Sequence, residues 1–255
     1  MQKFVRILPI FTAVLIFVLF EVVYKMPKGI FVAGVFAPLV FFIVIKLIMG
    51  QGQNIYRATF RFMLTPTLLV WLALIFSMLI EVTLLRHLLA LVVVVFLILF
   101  FESMLTYRFK QSAYEGYSLE NLTTYALTVA IFLLGSVLIG LHVLLDIYLG
   151  LAGFIFVLGA LAINYKFFWI SRFEAVHSLF FVGVLSLVLL ELFLVFAVLP
   201  FHFMVSGAAL TVLWYTGALL TRAHLLGLLT KKMVYRHLAL GGLLFLFLLL
   251  TAQWM

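Results

Sequence analysis

A chain of 255 residues that is 68% hydrophobic and only 9% charged is not a soluble domain, since soluble domains carry about 45–50% apolar and about 25% charged residues. At about 20 residues per span the length holds eight or nine membrane helices and leaves no room for a soluble domain, so any active site lies inside the membrane or at its surface. The absence of cysteine excludes disulfides, thiolate catalysis and Cys-ligated zinc or iron–sulfur centres, and the net charge of +8 falls between spans, where it reads as orientation and anionic-lipid contact rather than nucleic-acid binding.

The first predicted span is 4–24, preceded by Lys3 and Arg6. It has the start of a signal peptide, but Glu21-Val22-Val23-Tyr24-Lys25 offers no small-residue cleavage site, so it reads as a retained helix. Met26-Pro27-Lys28-Gly29 is a tight turn into the second span, 30–49, interrupted at Ala37-Pro38. A basic, aromatic connection, GQGQNIYRATFRF, follows. The apolar stretch from Met63 to Leu105 would be about 64 Å long as one helix, twice the bilayer core, and must fold back. EVTLLRH at Glu81 to His87 is the expected turn, giving a third span at 64–85 and a fourth at 88–106. The polar stretch YRFKQSAYEGYSLE leads to the fifth span, 121–145, with Ser118 as its expected N-cap. After Asp146 comes the sixth span, 147–165, with Gly150, Gly153 and Ala160 along one side and Gly159 and Ala162 near another, which places it at the bundle centre.

The connection Lys166 to His177 leads to the seventh span, 178–203, where Glu191 is the lone carboxylate of a helix-length apolar segment. An ionisable side chain in hydrocarbon is costly, is normally turned inward with a partner, and is a functional candidate by default. Pro200 should kink or stop this helix and release the Phe196 carbonyl. On a continuing helix, His202 would lie about 16 Å beyond Glu191 and about 20° round, on the same face. The eighth span is 205–221. Arg222 to His237, RAHLLGLLTKKMVYRH, mixes leucines with Arg222, Lys231, Lys232 and Arg236 as an interfacial helix contacting anionic lipid headgroups would. The ninth span, 238–254, ends at Trp254.

Nine spans put Lys3, Arg6, Lys46, Arg57, Arg61, Arg108, Lys110, Lys166, Arg172, Arg222, Lys231, Lys232 and Arg236 on the N-terminal side and only Lys25, Lys28 and Arg86 on the other. The positive-inside rule then gives a cytoplasmic N-terminus and a C-terminus outside. An eight-span chain, with the last segment in question, is the alternative. Spans pair through tight outward turns, and Glu21 and Glu81, in FEV and IEV sixty positions apart, suggest a hairpin repeat that any hairpin bundle would also mimic.

This topology gathers Glu21, Glu81, His87, His142, Asp146 and His202 at the outer face. His142 and Asp146, four apart, share a face if their helix continues. Such a set can bind a divalent metal, hold a haem or do acid–base work on a headgroup, but helix ends at an interface are polar in any case, and no metal or cofactor is assigned. Glu102 reads as snorkelling toward Arg108 or Lys110. His-x-x-x-Asp resembles one motif of the glutamic intramembrane proteases, whose paired glutamates followed by arginine are absent here. Gly116 to Leu122, GYSLENL, entering an apolar helix, resembles uncharacterised multi-pass membrane proteins of candidate-phylum bacteria, a resemblance that implies no activity and adds no functional residue.

The expected architecture is one all-α integral membrane domain over 1–255, a transmembrane bundle of about nine helices in four outward-turned hairpins plus a final helix, in a bacterial-type inner membrane. The expected function is a small transporter or a membrane subunit of a larger assembly, with Glu191 and His202 as the candidate intramembrane site. The alternative is an enzyme acting on lipid or lipid-linked substrate at the outer face. Expected partners are the bilayer with its anionic headgroups and other membrane proteins or further copies of the chain, and not nucleic acid.

Overall fold

The computed structural model of the chain describes residues 6–50, 55–109, 118–171 and 175–252, with 55, 57, 58, 175–178 and 251 described through their backbone only. Lys3, Lys110, Arg172, Gly116, Tyr117 and Trp254, which enter the expectations above, lie outside the described residues, as does the Arg57 side chain. Among the described residues there are nine long helices, one short 3-10 turn and no strand. The helices are α1 (Leu8–Lys25), α2 (Ile30–Met49), α3 (Ile55–Leu79), α4 (Thr83–Phe109), α5 (Ser118–Leu145), α6 (Leu149–Ile170), α7 (Ala175–Val198), α8 (Phe203–Leu225) and α9 (Lys231–Thr251). Each contains a stretch long and apolar enough to cross a membrane. The chain is a multi-pass α-helical membrane protein. Short turns at 26–29, 80–82, 146–148 and 199–202 close four hairpins, and α9 follows.

Packing divides the chain into two compact units, Met1–Ala126 and Leu127–Met255. In the first, α1 lies along α4 and α2 along α3, with α1–α2 and α3–α4 contacts completing an up-down-up-down bundle. One stripe of α1, Thr12, Ala13, Ile16, Phe20 and Val23, is buried at helical spacing. The Phe41 ring of α2 meets Phe101 of α4 at 5.9 Å between centroids. Pro38 interrupts nothing: α2 runs through it. A proline at 38 has no N–H for the Gly34 carbonyl, and the Trp71 indole N–H of α3 donates to that oxygen instead, at 2.9 Å. The orphaned acceptor thus becomes a bond between helices.

In the second unit α6 packs on α7, α7 on α8 and α8 on α9. Glycines set the closest approaches. A Cβ at Gly207 of α8 would land on Ser136 Oγ of α5 and lie 2.8 Å from the Phe132 carbonyl oxygen and 2.9 Å from Ser136 N. One at Gly159 of α6 would lie 2.8 Å from Leu134 of α5, and one at Gly241 of α9 would lie 2.5 Å from Thr216 Oγ1 of α8. Such approaches suit a medium in which burial drives no association and van der Waals contact must. At Gly153 a Cβ would meet Leu190 and Leu194 at an ordinary 3.5 Å. The sixth helix therefore lies against α5 as well as α7.

Several boundaries differ from expectation for local reasons. The third span ends at Leu79 rather than 85, and α4 starts at Thr83. The Arg86 N–H already donates to the Val82 carbonyl, and Arg86 Nε donates to the Ile80 carbonyl across the turn, so Arg86 and His87 ride on the first turn of α4. The sixth span continues past 165 to Ile170 and takes Lys166 into the helix, buried, with its ammonium 4.2 Å from the Trp169 ring centroid. Ser118 is already helical, and its hydroxyl meets Ser103 Oγ of α4 at 3.0 Å. No interfacial helix spans 222–237. Gly227 adopts φ +66°, its N–H bonds to the His224 carbonyl and Leu228 N bonds to the Ala223 carbonyl, which ends α8. Thr230 then caps α9 by accepting from Met233 N, so the ninth helix begins at Lys231 rather than 238.

Candidate functional site

Glu191 lies on α7, inside the apolar stretch Leu179–Val198. Val198 lies seven positions further on, which puts Glu191 about 10 Å inside that end. It does not turn inward. The face of α7 that meets its neighbours carries Val182, Ser186, Leu189, Phe193 and Phe196, all buried, with Phe193 stacked on Phe156 of α6 at 4.3 Å. Glu191 is on the other face, exposed among Leu187, Val188, Leu194 and Val195. Its expected companion, His202, is not on this helix. The chain leaves α7 at Val198, and Phe201 N bonds to the Leu199 carbonyl around Pro200. His202 then caps α8, its Nδ1 accepting from Met204 N at 3.3 Å. The helix ends two residues before Pro200, which has no N–H for the Phe196 carbonyl, whereas α2 runs through Pro38 and α3 through Pro66. Glu191 and His202 therefore do not share a helix face.

The residues expected at the outer face separate into local arrangements. In the first unit, His87 Nδ1 of α4 lies 2.9 Å from Glu21 Oε1 of α1, with 44% of the histidine and 31% of the glutamate side chain exposed. Tyr24 stands beside them: its hydroxyl donates to Thr83 Oγ1 at 3.2 Å, its ring lies 5.6 Å from His87, and the Arg86 guanidinium covers it at 4.8 Å. A carboxylate on Nδ1 fixes the imidazole so that Nε2 is left for a proton or a ligand. Glu81, expected to mirror Glu21, sits exposed in the turn between helices rather than on α3, so the two are not structurally equivalent.

In the second unit, α5 stops at Leu145, and Asp146 takes a left-handed φ of 51°. That ends the helix on which His142 and Asp146 would have shared a face. His142 Nδ1 instead donates to the Ile147 carbonyl at 2.7 Å, closing the turn. His142 and His202 are thus both engaged by backbone at helix ends, one donating through Nδ1 and one accepting. Among the described residues no three His, Asp or Glu side chains converge as a metal site requires.

Three neutral side chains, which carry no charge to mark them, join helices in the second unit. Asn164 of α6 donates through Nδ2 to Ser186 Oγ of α7 at 2.8 Å and accepts on Oδ1 from the Trp214 indole of α8 at 2.7 Å. Ser186 donates onward to the Val182 carbonyl at 2.7 Å. All three side chains are fully buried. The available signal was that Asn164 is the lone carboxamide in its span, and a carboxamide in hydrocarbon needs partners as a carboxylate does.

At the opposite ends of α8 and α9 from these turns, Arg222 lies in the last turn of α8, and Lys231, Lys232 and Arg236 lie exposed on the first turns of α9. They flank one short connection, 226–230, and do not share one interfacial helix. In comparisons with known proteins, no family model, no curated protein and no solved structure matches the chain.

Proposed function

We propose that the chain is a membrane subunit of a larger assembly in a bacterial-type inner membrane. The observation that carries this reading is the Glu191 carboxyl, exposed in the middle of an apolar helix face. A polar group facing hydrocarbon without a hydrogen bond costs several kcal/mol on the order of magnitude, and the neighbouring helices of its own unit lie on the other side of α7. Transport by this chain alone would want that carboxyl turned into a polar path. The charge distribution supports a cytoplasmic N-terminus with residue 255 outside, and Arg222, Lys231, Lys232 and Arg236 then contact anionic headgroups of the inner leaflet. Native mass spectrometry of gently solubilised protein tests the reading. Species heavier than one 29.0 kDa chain are expected, and a monomer carrying lipid alone would overturn it.

A second reading is favoured by the Glu21–His87 pair, which is oriented and accessible beside Arg86 as a base acting on a lipid or lipid-linked substrate at the outer face would be. His87→Ala should then abolish turnover of such a substrate without disturbing the fold. Turnover unchanged in that variant removes the pair from catalysis.

A further inference from the structure

We infer that the cluster of Tyr24, Arg86 and His87, where the end of α1 meets the start of α4, is a binding site for a phosphate monoester. This rests on the second reading above, that the Glu21–His87 pair meets a substrate there, and names the chemical class of what is held.

Two anchored donors with free ends carry the inference. An arginine at a protein surface is ordinarily mobile, and ordering it opposes whatever it binds. Arg86 is already ordered: its Nε donates to the Ile80 carbonyl, and its guanidinium lies over the Tyr24 ring at 4.8 Å. Tyr24 is held in turn by the bond from its hydroxyl to Thr83 Oγ1. With Nε taken, the outer edge of the fork remains, and neither Nη1 nor Nη2 has an acceptor among the described residues. Two parallel N–H groups at that spacing fit two oxygens of one phosphate.

His87 is the next residue on the same turn of α4, and its ring lies 5.6 Å from the same tyrosine. Glu21 holds Nδ1 at 2.9 Å, which leaves Nε2 without a partner among the described residues. This second group selects the class of phosphate. Between Nε2 and a phosphate oxygen there must be one hydrogen. A monoester can carry that hydrogen itself or accept it from the imidazole, because its second ionisation falls near neutrality, at about pH 6. A diester oxygen carries none there and can only accept. Arg86 and His87 together therefore suit a terminal phosphate better than one inside a diester.

The surrounding charge agrees. Glu21 is committed to His87. Glu81, in the 80–82 turn, is exposed and makes no ion pair among the described residues, so water and salt screen it. Lys25 at the end of α1 and Lys28 in the turn that follows are exposed as well, and with Arg86 they outnumber the two carboxylates of these hairpin ends.

The test uses the full chain in detergent, with bound ligand read by native mass spectrometry. Phosphatidate, a monoester lipid, is compared with phosphatidylglycerol, a diester lipid, and with glycerol 3-phosphate, a monoester without acyl chains. Phosphatidate should bind about tenfold more tightly than phosphatidylglycerol. Arg86→Lys keeps the charge but loses the fork, and should weaken phosphatidate about tenfold. His87→Ala should weaken phosphatidate about fivefold and leave phosphatidylglycerol unchanged, which removes the preference. Lys46→Gln, which deletes a cation at the far end of α2, should change neither. Glycerol 3-phosphate held as tightly as phosphatidate, with the same dependence on Arg86, upholds the monoester site and makes its ligand a soluble ester rather than a lipid. Equal binding of the two lipids, or phosphatidate binding untouched by both variants, overturns the inference. Phosphatidate held but recovered unchanged leaves this site standing and removes the catalytic role of His87. A diester lipid turned over through His87, with no preference for phosphatidate, keeps that role and overturns the site.

Discussion

The two units are built from the same kind of apolar helix, yet they are held together differently. In Met1–Ala126 the polar contacts between helices include an indole on the carbonyl that Pro38 leaves open, Ser118 on Ser103 at the start of α5, and Glu21 on His87 near the end of α1. In Leu127–Met255 they sit at the centre, where Asn164, Ser186 and Trp214 join three helices, and where Gly207, Gly159 and Gly241 let backbones approach. Lipid supplies no hydrophobic drive between helices, so packing depends on close fit and on hydrogen bonds that find no alternative. The second unit uses both devices deep inside. The first uses its stronger electrostatic pair where water competes.

The steepest test of this contrast is Gly207→Ala. The added carbon would collide with backbone and hydroxyl of α5 rather than with the tip of a flexible side chain, so a loss of about 3 kcal/mol is expected in detergent unfolding. The same change at Gly34, where a Cβ meets nothing within 4 Å, should cost nothing measurable. Next comes Asn164→Leu, which orphans the buried Trp214 indole and removes a partner of Ser186. About 1–2 kcal/mol should be lost by the same assay, and loss of the bond should also shift Trp214 fluorescence. Trp71→Phe is smaller, about 1 kcal/mol, because it leaves one carbonyl of α2 unpaired in a half-covered place. Glu21→Gln should change stability least, by about 0.5 kcal/mol or less, since both partners at the rim are substantially exposed and screened. An Asn164 variant as stable as the parent, or a Glu21 variant more damaged than Asn164→Leu, would reverse the comparison.

What could be read from the residues themselves follows the same divide. Long apolar runs, turn residues and charge asymmetry bear on the number of spans and the hairpin order, because each is a property of one segment and its solvent. The stop at Pro200 was readable for that reason, and so was the polar burden of Glu191. Continuation through Pro38 and Pro66 was not, because what surrounds a proline inside a helix is set by packing; at Pro38 the open carbonyl is taken by Trp71, thirty-three positions away. The boundary at Leu79 depends on Arg86 reaching back to a carbonyl, and the split of Arg222–His237 depends on Gly227 taking a left-handed turn. For the site, residue type marked Glu21, His87 and Glu191 as notable, yet the orientation of each is a matter of packing. Glu21 found His87, His142 and His202 were taken up by their own helix ends, and Glu191 faced away from its unit. Asn164 escaped attention because it carries no charge, although its hydrogen-bonding demand in hydrocarbon is of the same kind.

The central claim is that the Glu191 face of α7 is covered in the membrane by protein and not by lipid. A nitroxide attached at Leu187→Cys, beside Glu191 on that face, can be compared in lipid bilayers with one at Phe31→Cys, on the outward side of α2, by its collisions with dissolved oxygen. The two residues are 58% and 79% exposed within the chain itself, so lipid alone would leave both probes open to oxygen. The account predicts that the label at 187 is shielded while the label at 31 is not. Equal access at the two positions would contradict it.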